Sequence, residues 1–178
     1  MIVRKTKLND CKIINPQVFK DNRGFFLETF QADRYKNLAG IDLPFVQDNH
    51  SKSEFNVLRG LHYQLEPFEQ GKLVRVVRGE IFDVAVDIRK NSNNFKKWVG
   101  VKLSSENKKQ LWVPRGFAHG FLVLSQSAEV LYKTDNYYDK DSERSIIWDD
   151  PELNIDWPLR ESPYLSEKDK NANLLNEQ

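Results

Sequence analysis

A histidine, a lysine and an arginine that could act together lie within fourteen residues of one another, at Arg59, His62 and Lys72. His62 is one of three histidines in the chain and lies in an apolar run that is typical of a strand. Histidine, with an ordinary pKa of about 6.5, suits general-base catalysis near neutral pH. A lysine can stabilise a developing oxyanion, and a guanidinium matches a phosphate group through paired hydrogen bonds. The stretch therefore indicates acid–base chemistry on a rigid β scaffold.

The segment 79–89 alternates apolar and polar residues, which predicts a β-strand buried on one face. The apolar positions are Phe82, Val84, Val86 and Ile88, and the polar positions are Asp83, Asp87 and Arg89. Alternation creates a conflict in the preceding strand, because it would put Arg59 and His62 on opposite faces. A bulge at Gly60, or binding of a phosphate-bearing ligand by Arg59 outside the mouth of the β scaffold, would remove this conflict.

The composition is that of one globular domain spanning residues 1–178, with 39% hydrophobic and 30% charged residues. Lysine and arginine total 27 against 26 for aspartate and glutamate, so bulk charge gives no reason to expect a nucleic-acid or membrane partner. Any anionic ligand must be bound by a local cluster. The chain has no apolar run long enough to span a bilayer, and its first residues lack the apolar segment of a signal peptide. We therefore expect a cytoplasmic protein.

The spacing of turn residues predicts the fold class. Short strand-like runs are separated by glycine or proline every eight to sixteen residues, and no long amphipathic helix, repeat or linker is present. We expect a helical turn over residues 31–40, ended by Gly40, and a short helix after Ser166, which has the character of an N-cap. These patterns predict an all-β sandwich or barrel, and we expect a jelly roll with a few short peripheral helices.

Six motifs follow one another along the chain. They are DNRGFFLE (21–28), QDN (47–49), RGLHYQ (59–64), GKLVRVVRGEIFDVAVDIR (71–89), VPRGFAHGF (113–121) and SEKD (166–169). Together they resemble the dTDP-4-dehydrorhamnose 3,5-epimerases of the RmlC family over nearly the whole chain. The resemblance implies a cupin-type jelly roll (a double-stranded β-helix) that forms a homodimer and needs neither a metal nor another cofactor. The implied reaction inverts C3 and C5 of dTDP-4-dehydro-6-deoxy-D-glucose through an enolate, giving dTDP-4-dehydro-L-rhamnose for dTDP-L-rhamnose synthesis.

The resemblance also implies roles for individual residues. His62 matches the family's general base, Tyr132 its general acid, and Asp169 the carboxylate that pairs with the histidine. Lys72 matches the lysine beside the C4 oxygen, and Tyr138 matches the aromatic ring that stacks on thymine. The other positions that match substrate-binding residues are Arg23, Glu28, Gln47, Asp48, Asn49, Arg59, His119, Glu143 and Lys168.

The chemistry of inversion fits these assignments. A proton must leave one face of the sugar and another must arrive at the opposite face, so a second proton donor is needed across from the base. A phenol, with an ordinary pKa of about 10, stays protonated at neutral pH and suits this role. Tyr138 comes just after the strand that holds Tyr132, among turn residues. We therefore expect Tyr138 at the cavity mouth and Tyr132 inside.

Simpler interpretations and rival functions stay open. A strand histidine or tyrosine is more often structural than catalytic, and most lysines lie at the surface. A metal-dependent cupin oxygenase would need clustered ligands, whereas His50, His62 and His119 are widely spaced and form no His-x-His motif. A non-catalytic sugar-binding jelly roll would leave the base, acid, lysine and carboxylate unexplained. Within the family, the alternative is an epimerase that inverts only C3 or one that acts on a related nucleotide-4-keto-6-deoxysugar.

Overall fold

The strands and helices in the computed structural model, which describes residues 1–177, are mostly short. The strands are β1 (Ile2–Lys5), β2 (Lys12–Asn15), β3 (Val18–Asp21), β4 (Gly24–Leu27), β5 (Gln47–Glu54), β6 (Leu58–Gln64), β7 (Lys72–Arg78), β8 (Glu80–Asp87), β9 (Trp98–Ser104), β10 (Gln110–Val113), β11 (Phe117–Val123), β12 (Ser127–Thr134) and β13 (Glu143–Ser145). The α-helices are α1 (Ala32–Ala39) and α2 (Glu167–Lys170), and a 3₁₀ turn covers Leu175–Glu177. Both α-helices lie where the sequence predicts them. No helix in this range is long and apolar enough to cross a membrane.

Two sheets form the body of the fold. The larger sheet has the strand order β1-β2-β10-β7-β12-β5, and the smaller has the order β13-β6-β11-β8-β9. All pairings within them are antiparallel. Neighbours such as β2 and β10 come from distant parts of the chain, which is typical of Greek-key connections in a jelly roll. The predicted all-β jelly roll is confirmed.

The main core fills the space between the sheets. Val74 and Val76 of the larger sheet belong to the same buried cluster as Ile81, Ala85 and Phe121 of the smaller sheet. Burial of apolar surface stabilises such a core by roughly 25 cal/mol per Å². This packing holds the two sheets at a constant separation, so side chains projecting from facing strands can enclose a cavity.

Strand β8 is buried on both faces, so the prediction that it is buried on one face only is wrong. Val84 points outward and packs in a second apolar cluster with Trp157. Asp83 lies on the same face as Ile81 and Ala85, between the two sheets, and is 0% exposed. Residues after β13 fold back over the outer face of the smaller sheet. A local alternation pattern cannot reveal such a distant covering segment.

The β3–β4 hairpin is a separate two-stranded sheet that pairs with neither large sheet. Three phenylalanines project from it, and Phe19, Phe25 and Phe26 are 58%, 56% and 68% exposed. Phe19 and Phe26 lie next to each other across the hairpin, with ring centroids 6.4 Å apart, and such an exposed aromatic pair is typical of a protein–protein contact.

Candidate active site

His62 on β6 and Asp169 on α2 form a hydrogen-bonded pair. His62 Nε2 lies 2.6 Å from Asp169 Oδ1, although 107 residues separate them in the chain. An ionised carboxylate can only accept hydrogen bonds, so Nε2 carries the proton and Nδ1 of the neutral ring keeps its lone pair. The Asp169 side chain is almost fully buried, whereas 29% of the His62 side chain is exposed. The pair therefore fixes the tautomer of a base whose Nδ1 can receive a proton.

The surroundings of Asp169 keep it ionised. Burial alone would raise the pKa of its carboxyl group, but hydrogen bonds from His62, the Ser166 hydroxyl and the Gly60 backbone N–H lower that pKa below its ordinary value. Ser166 Oγ donates to Asp169 Oδ2 at 2.9 Å and accepts a hydrogen bond from the Asp169 backbone N–H at 3.1 Å. Ser166 is thus the N-cap of α2 and also a support for the carboxylate.

A β-bulge at Gly60 decides which way His62 points. Phe121 pairs with Arg59 and His119 pairs with His62, so β6 contains one more residue than β11 over this interval. Gly60 has a φ of 111°, and a Cβ there would lie 2.6 Å from the carbonyl oxygen of His119. Only glycine fits this conformation and this space. The bulge puts Arg59 and His62 on one face, which removes the conflict in the alternation pattern.

Tyr132 on β12 faces His62 from the larger sheet. Both side chains line one cavity of about 280 Å³. Burial raises the pKa of the Tyr132 hydroxyl; the positive charge of Arg59 lowers it, and the negative charge of Glu143 raises it further. The phenol therefore stays protonated well above neutral pH and can donate a proton.

Lys72 is a buried cation at the start of β7 and lines the same cavity. Its Nζ donates to the carbonyl oxygen of His62 at 3.3 Å. Burial lowers the pKa of Lys72 to about 8, although the negative charges of Asp83 and Glu143 oppose this effect. Lys72 is therefore still mainly protonated at pH 7. Removal of one of these nearby negative charges would lower its pKa further and favour the neutral amine.

A network of polar side chains forms the cavity rim. Glu143 Oε1 lies 2.5 Å from Lys168 Nζ, and its Oε2 accepts a hydrogen bond from the Tyr138 hydroxyl at 3.0 Å. The Tyr138 backbone N–H donates to Gln47 Oε1 at 3.1 Å, and Gln47 Nε2 donates to Asn49 Oδ1 at 2.9 Å. Burial raises the pKa of Glu143, but the bonds from Lys168 and Tyr138 bring it below its ordinary value. The rim therefore carries both signs of charge.

Most of the predicted site residues meet at this cavity. Those that line it are Gln47, Asn49, His62, Lys72, Tyr132, Tyr138 and Glu143. Asp169 and Lys168 bond directly to residues of this set, and the charge of Arg59 acts on Tyr132. The structure thus brings together residues from five strands, the segment after β12 and α2.

Three predicted residues lie elsewhere in this chain. The Asp48 side chain is 74% exposed and pairs with Lys133 at 2.9 Å, on the other side of the larger sheet. Arg23 in the β3–β4 hairpin is 91% exposed and bonds only to Asp21 among the described residues. Glu28 pairs with a residue of α1. The roles of these three residues in substrate binding stay predictions.

His119 lies beside His62 on the next strand and is nearly buried. Its Nε2 is 2.8 Å from Asp83 Oδ1. Asp83 was not predicted as a site residue, because alternation along β8 placed it on the polar, solvent-facing side of the strand. Gln64 and Gln70, which line the cavity, were not predicted either. The available signal for Gln64 was its position at the end of the RGLHYQ motif.

Among residues 1–177, no group of three or more His, Cys, Asp or Glu side chains is arranged to hold a metal ion. The candidate site consists instead of a histidine–aspartate pair, a facing tyrosine and a buried lysine. This fold and site define a cupin-type jelly-roll protein whose cavity is lined by the histidine from one sheet and the tyrosine from the other.

The chain belongs to the dTDP-4-dehydrorhamnose 3,5-epimerase family, whose model matches residues 5–177. It is 60% identical over 172 residues to the dTDP-4-dehydrorhamnose 3,5-epimerase of Shigella flexneri, an alignment that covers 97% of this chain and 94% of that one. A crystal structure of the Legionella pneumophila epimerase in complex with dTDP-4-keto-L-rhamnose superposes with a TM-score of 0.95 at 57% identity, covering 98% of this chain and 92% of that chain. ChmJ, a 3'-monoepimerase from Streptomyces bikiniensis, is also similar, with a TM-score of 0.91 at 32% identity, covering 97% of this chain and 87% of that chain.

Proposed function

We propose that this protein is a dTDP-4-dehydrorhamnose 3,5-epimerase, which inverts C3 and C5 of dTDP-4-dehydro-6-deoxy-D-glucose. The observation that carries the proposal is the placement of His62 and Tyr132 on facing sheets around one cavity, which Lys72 also lines. Inversion beside a ketone needs a base on one side and an acid on the other. The high identity to epimerases with this name supports the same substrate.

His62 acts as the base in this mechanism. Nε2–H is held by Asp169, so the lone pair of Nδ1 removes the proton from C3 or C5, each of which is acidified by the C4 ketone. The positive charge that develops on the imidazole is stabilised by Asp169, whose low pKa keeps it ionised. The electrons of the broken C–H bond move into an enolate whose charge lies on the C4 oxygen.

Lys72 stabilises this enolate, and Tyr132 completes the inversion. A buried ammonium group near the developing oxyanion acts with little competition from water, so its contribution is large. Tyr132 then delivers its hydroxyl proton to the opposite face of the carbon, and the sugar regains its ketone with inverted configuration. The raised pKa of Tyr132 ensures that the proton is present when it is needed.

The nucleotide binds at the cavity mouth in this proposal. Tyr138 is half exposed and lies at the rim, where its ring can stack on thymine. Arg59, on the same face as His62, supplies positive charge for the diphosphate, which a guanidinium can bind through paired hydrogen bonds.

A deuterium-exchange experiment tests the activity. The protein is incubated with dTDP-4-keto-6-deoxyglucose in D₂O, and NMR locates deuterium in the product. We expect deuterium at both C3 and C5, and we expect His62→Asn to abolish exchange at both while dTDP still binds. Deuterium at C3 alone would identify a 3-epimerase instead, and no exchange in the wild-type protein would contradict the whole proposal.

We also propose that the protein works as a homodimer in which the β3–β4 hairpin of one protomer reaches the cavity of the other. The hairpin projects from its own chain, exposes three phenylalanines, and carries Arg23 away from the cavity of the same chain. Strand β5 is the edge of the larger sheet and contributes Gln47 and Asn49 to the cavity, so an arm docked along it would lie close to the substrate. The cytoplasmic location expected from the sequence stays a prediction.

Mixing two defective variants tests the exchange of arms. Arg23→Ala and His62→Asn should each be impaired, but a mixed dimer would contain one site with an intact His62 and an intact Arg23 from the partner. After subunit exchange, about a quarter of the sites should recover activity. If Arg23 served its own chain, the mixture would stay as inactive as its parts.

A further inference from the structure

A buried carboxylate without an assigned role lies next to the cavity. Asp83 on β8 is 0% exposed and lies among the apolar side chains between the two sheets. An ionised carboxylate in an apolar core is costly unless charge or hydrogen bonds compensate it. A hydrophobic residue at this position of β8 would avoid the free-energy cost of burying a charge, so the packing of the core does not explain the presence of an acid.

The partners of Asp83 belong to the catalytic cavity. Its Oδ1 accepts a hydrogen bond from His119 Nε2 at 2.8 Å, and its Oδ2 is buried without a hydrogen-bond partner among the described residues. His119 in turn pairs with His62 on the neighbouring strand. The carboxylate therefore supports the strand that lies directly beside the proposed base.

Asp83 and Lys72 project into the same space between the two sheets, because Asp83 shares a face of β8 with the core residues Ile81 and Ala85, and Lys72 shares a face of β7 with Val74 and Val76. Asp83 therefore provides negative charge for Lys72. Of the charges that act on the Lys72 ammonium group, Asp83 has the largest favourable effect, followed by Glu143, while Lys168 opposes both. Glu143 is already paired with Lys168 at 2.5 Å, so its charge is largely satisfied by that lysine. The negative charge of Asp83 is less fully compensated by a neighbour, because its one hydrogen-bonded partner among the described residues is the imidazole of His119.

The other groups that face Lys72 do not replace this charge. On β6, the carbonyl oxygen of His62 accepts a hydrogen bond from Nζ at 3.3 Å, and the His62 ring becomes positive during the proposed reaction. On β11, His119 carries no negative charge, and on β12 the Tyr132 hydroxyl is neutral because burial raises its pKa. Among the described residues, Asp83 and Glu143 supply the negative charge that stabilises the protonated lysine.

We propose that Asp83 is a positioning residue for epimerisation, which keeps Lys72 protonated and holds His119 in place without touching the substrate. The inference rests on the proposed function, because it gives Lys72 its task at the enolate oxygen. Without Asp83, the buried lysine loses its main counter-charge and becomes neutral at a lower pH. The enolate then forms without a cation beside its oxygen.

The test is Asp83→Asn, which keeps the size of the side chain and an oxygen that can accept from His119. In the wild-type enzyme, kcat should decrease above about pH 8, where Lys72 loses its proton. In the variant this alkaline limb should move down by roughly one pH unit or more, so kcat at pH 8 should fall about fivefold or more and recover as the pH is lowered. Binding of dTDP should change little.

Asp87→Asn is the matched control. Asp87 lies on the same strand and the same face, is also 0% exposed, and bonds to Arg89 and Ser92 rather than to the cavity. Its variant should keep the wild-type alkaline limb. A loss of kcat in Asp83→Asn that is equal at every pH would reduce Asp83 to a structural residue and overturn the proposal.

Two further measurements separate this inference from the activity itself. In a Lys72→Met background, Asp83→Asn should have almost no further effect on kcat, because the two residues act through one charge. An NMR titration of Lys72 Nζ in the wild type and in Asp83→Asn follows the ammonium group without any turnover. A lower titration midpoint in the variant supports the inference even if the wild type fails the deuterium experiment, and an unchanged midpoint refutes it.

Discussion

Replacing Lys72 by methionine should stabilise the fold while it removes most of the activity. Lys72 is 8% exposed, and burial lowers its pKa from 10.5 to about 8. At about 1.36 kcal/mol for each pKa unit, the charged form costs the folded state roughly 3 kcal/mol relative to the unfolded chain at pH 7. That figure already includes the attraction of Asp83 and Glu143, which the variant loses. Methionine has a similar length and no charge, so Lys72→Met should gain about this free energy of unfolding.

The stability gain should depend on pH in a defined direction. Between about pH 8 and pH 10.5 the unfolded chain binds a proton at Lys72 that the folded chain has released, so the wild type becomes relatively more stable as the pH rises. The cost of the buried charge is therefore fully present below pH 8 and disappears toward pH 10.5. The advantage of Lys72→Met should shrink over the same interval.

Urea unfolding at several pH values, followed by fluorescence, measures this difference directly. Lys102→Met is the control, because Lys102 is exposed on β9 and its replacement should change stability by about 0.5 kcal/mol or less. The kcat of Lys72→Met should fall by about 10² to 10³, the usual effect of losing one oxyanion-stabilising group. A variant that is no more stable than the wild type at pH 7, or whose advantage is the same at pH 10, would refute the reasoning.

Four further variants concern the partner of His62, the two cavity tyrosines and the bulge. Asp169→Asn should lower kcat about 10³-fold. The amide group of asparagine can donate to Nε2 of His62, which selects the tautomer that has no lone pair on Nδ1. A decrease in kcat of less than tenfold, measured by steady-state kinetics, would contradict this. Tyr138→Ala should raise KM about ten- to a hundredfold with kcat nearly unchanged, since base stacking is worth roughly 1–3 kcal/mol. Tyr132→Phe should lower kcat with little change in KM and leave some deuterium exchange at C5 without inversion. If Tyr138→Ala lost only turnover and Tyr132→Phe lost only binding, the roles assigned to the two tyrosines would be the wrong way round. Gly60→Ala should lower the free energy of unfolding by about 2 kcal/mol or more, because φ is 111° and the new Cβ meets the neighbouring backbone; equal denaturation midpoints would show that the bulge relaxes.

The bulge at Gly60 shows how a sequence can pose a structural question without answering it. Alternation along β6 put Arg59 and His62 on opposite faces, and glycine was the only residue there that made a bulge plausible. The choice was made by the pairing with β11, where one residue of β11 opposes two of β6 between the flanking pairs. A register of this kind depends on a strand more than fifty residues away, so the local pattern of β6 could not decide it.

The sequence by itself determined the short strands, the two capped helices and the kinds of side chain that could do chemistry, because these depend on local periodicity, turn residues and caps. Its motifs also indicated the family. Only the tertiary structure decided which of those side chains meet. It joined His62 to Asp169, turned the Asp48 side chain away from the cavity, and buried Asp83 between the sheets against His119. The physical reason is that a strand pattern reports which residues share a face, whereas the covering of each face depends on segments far along the chain.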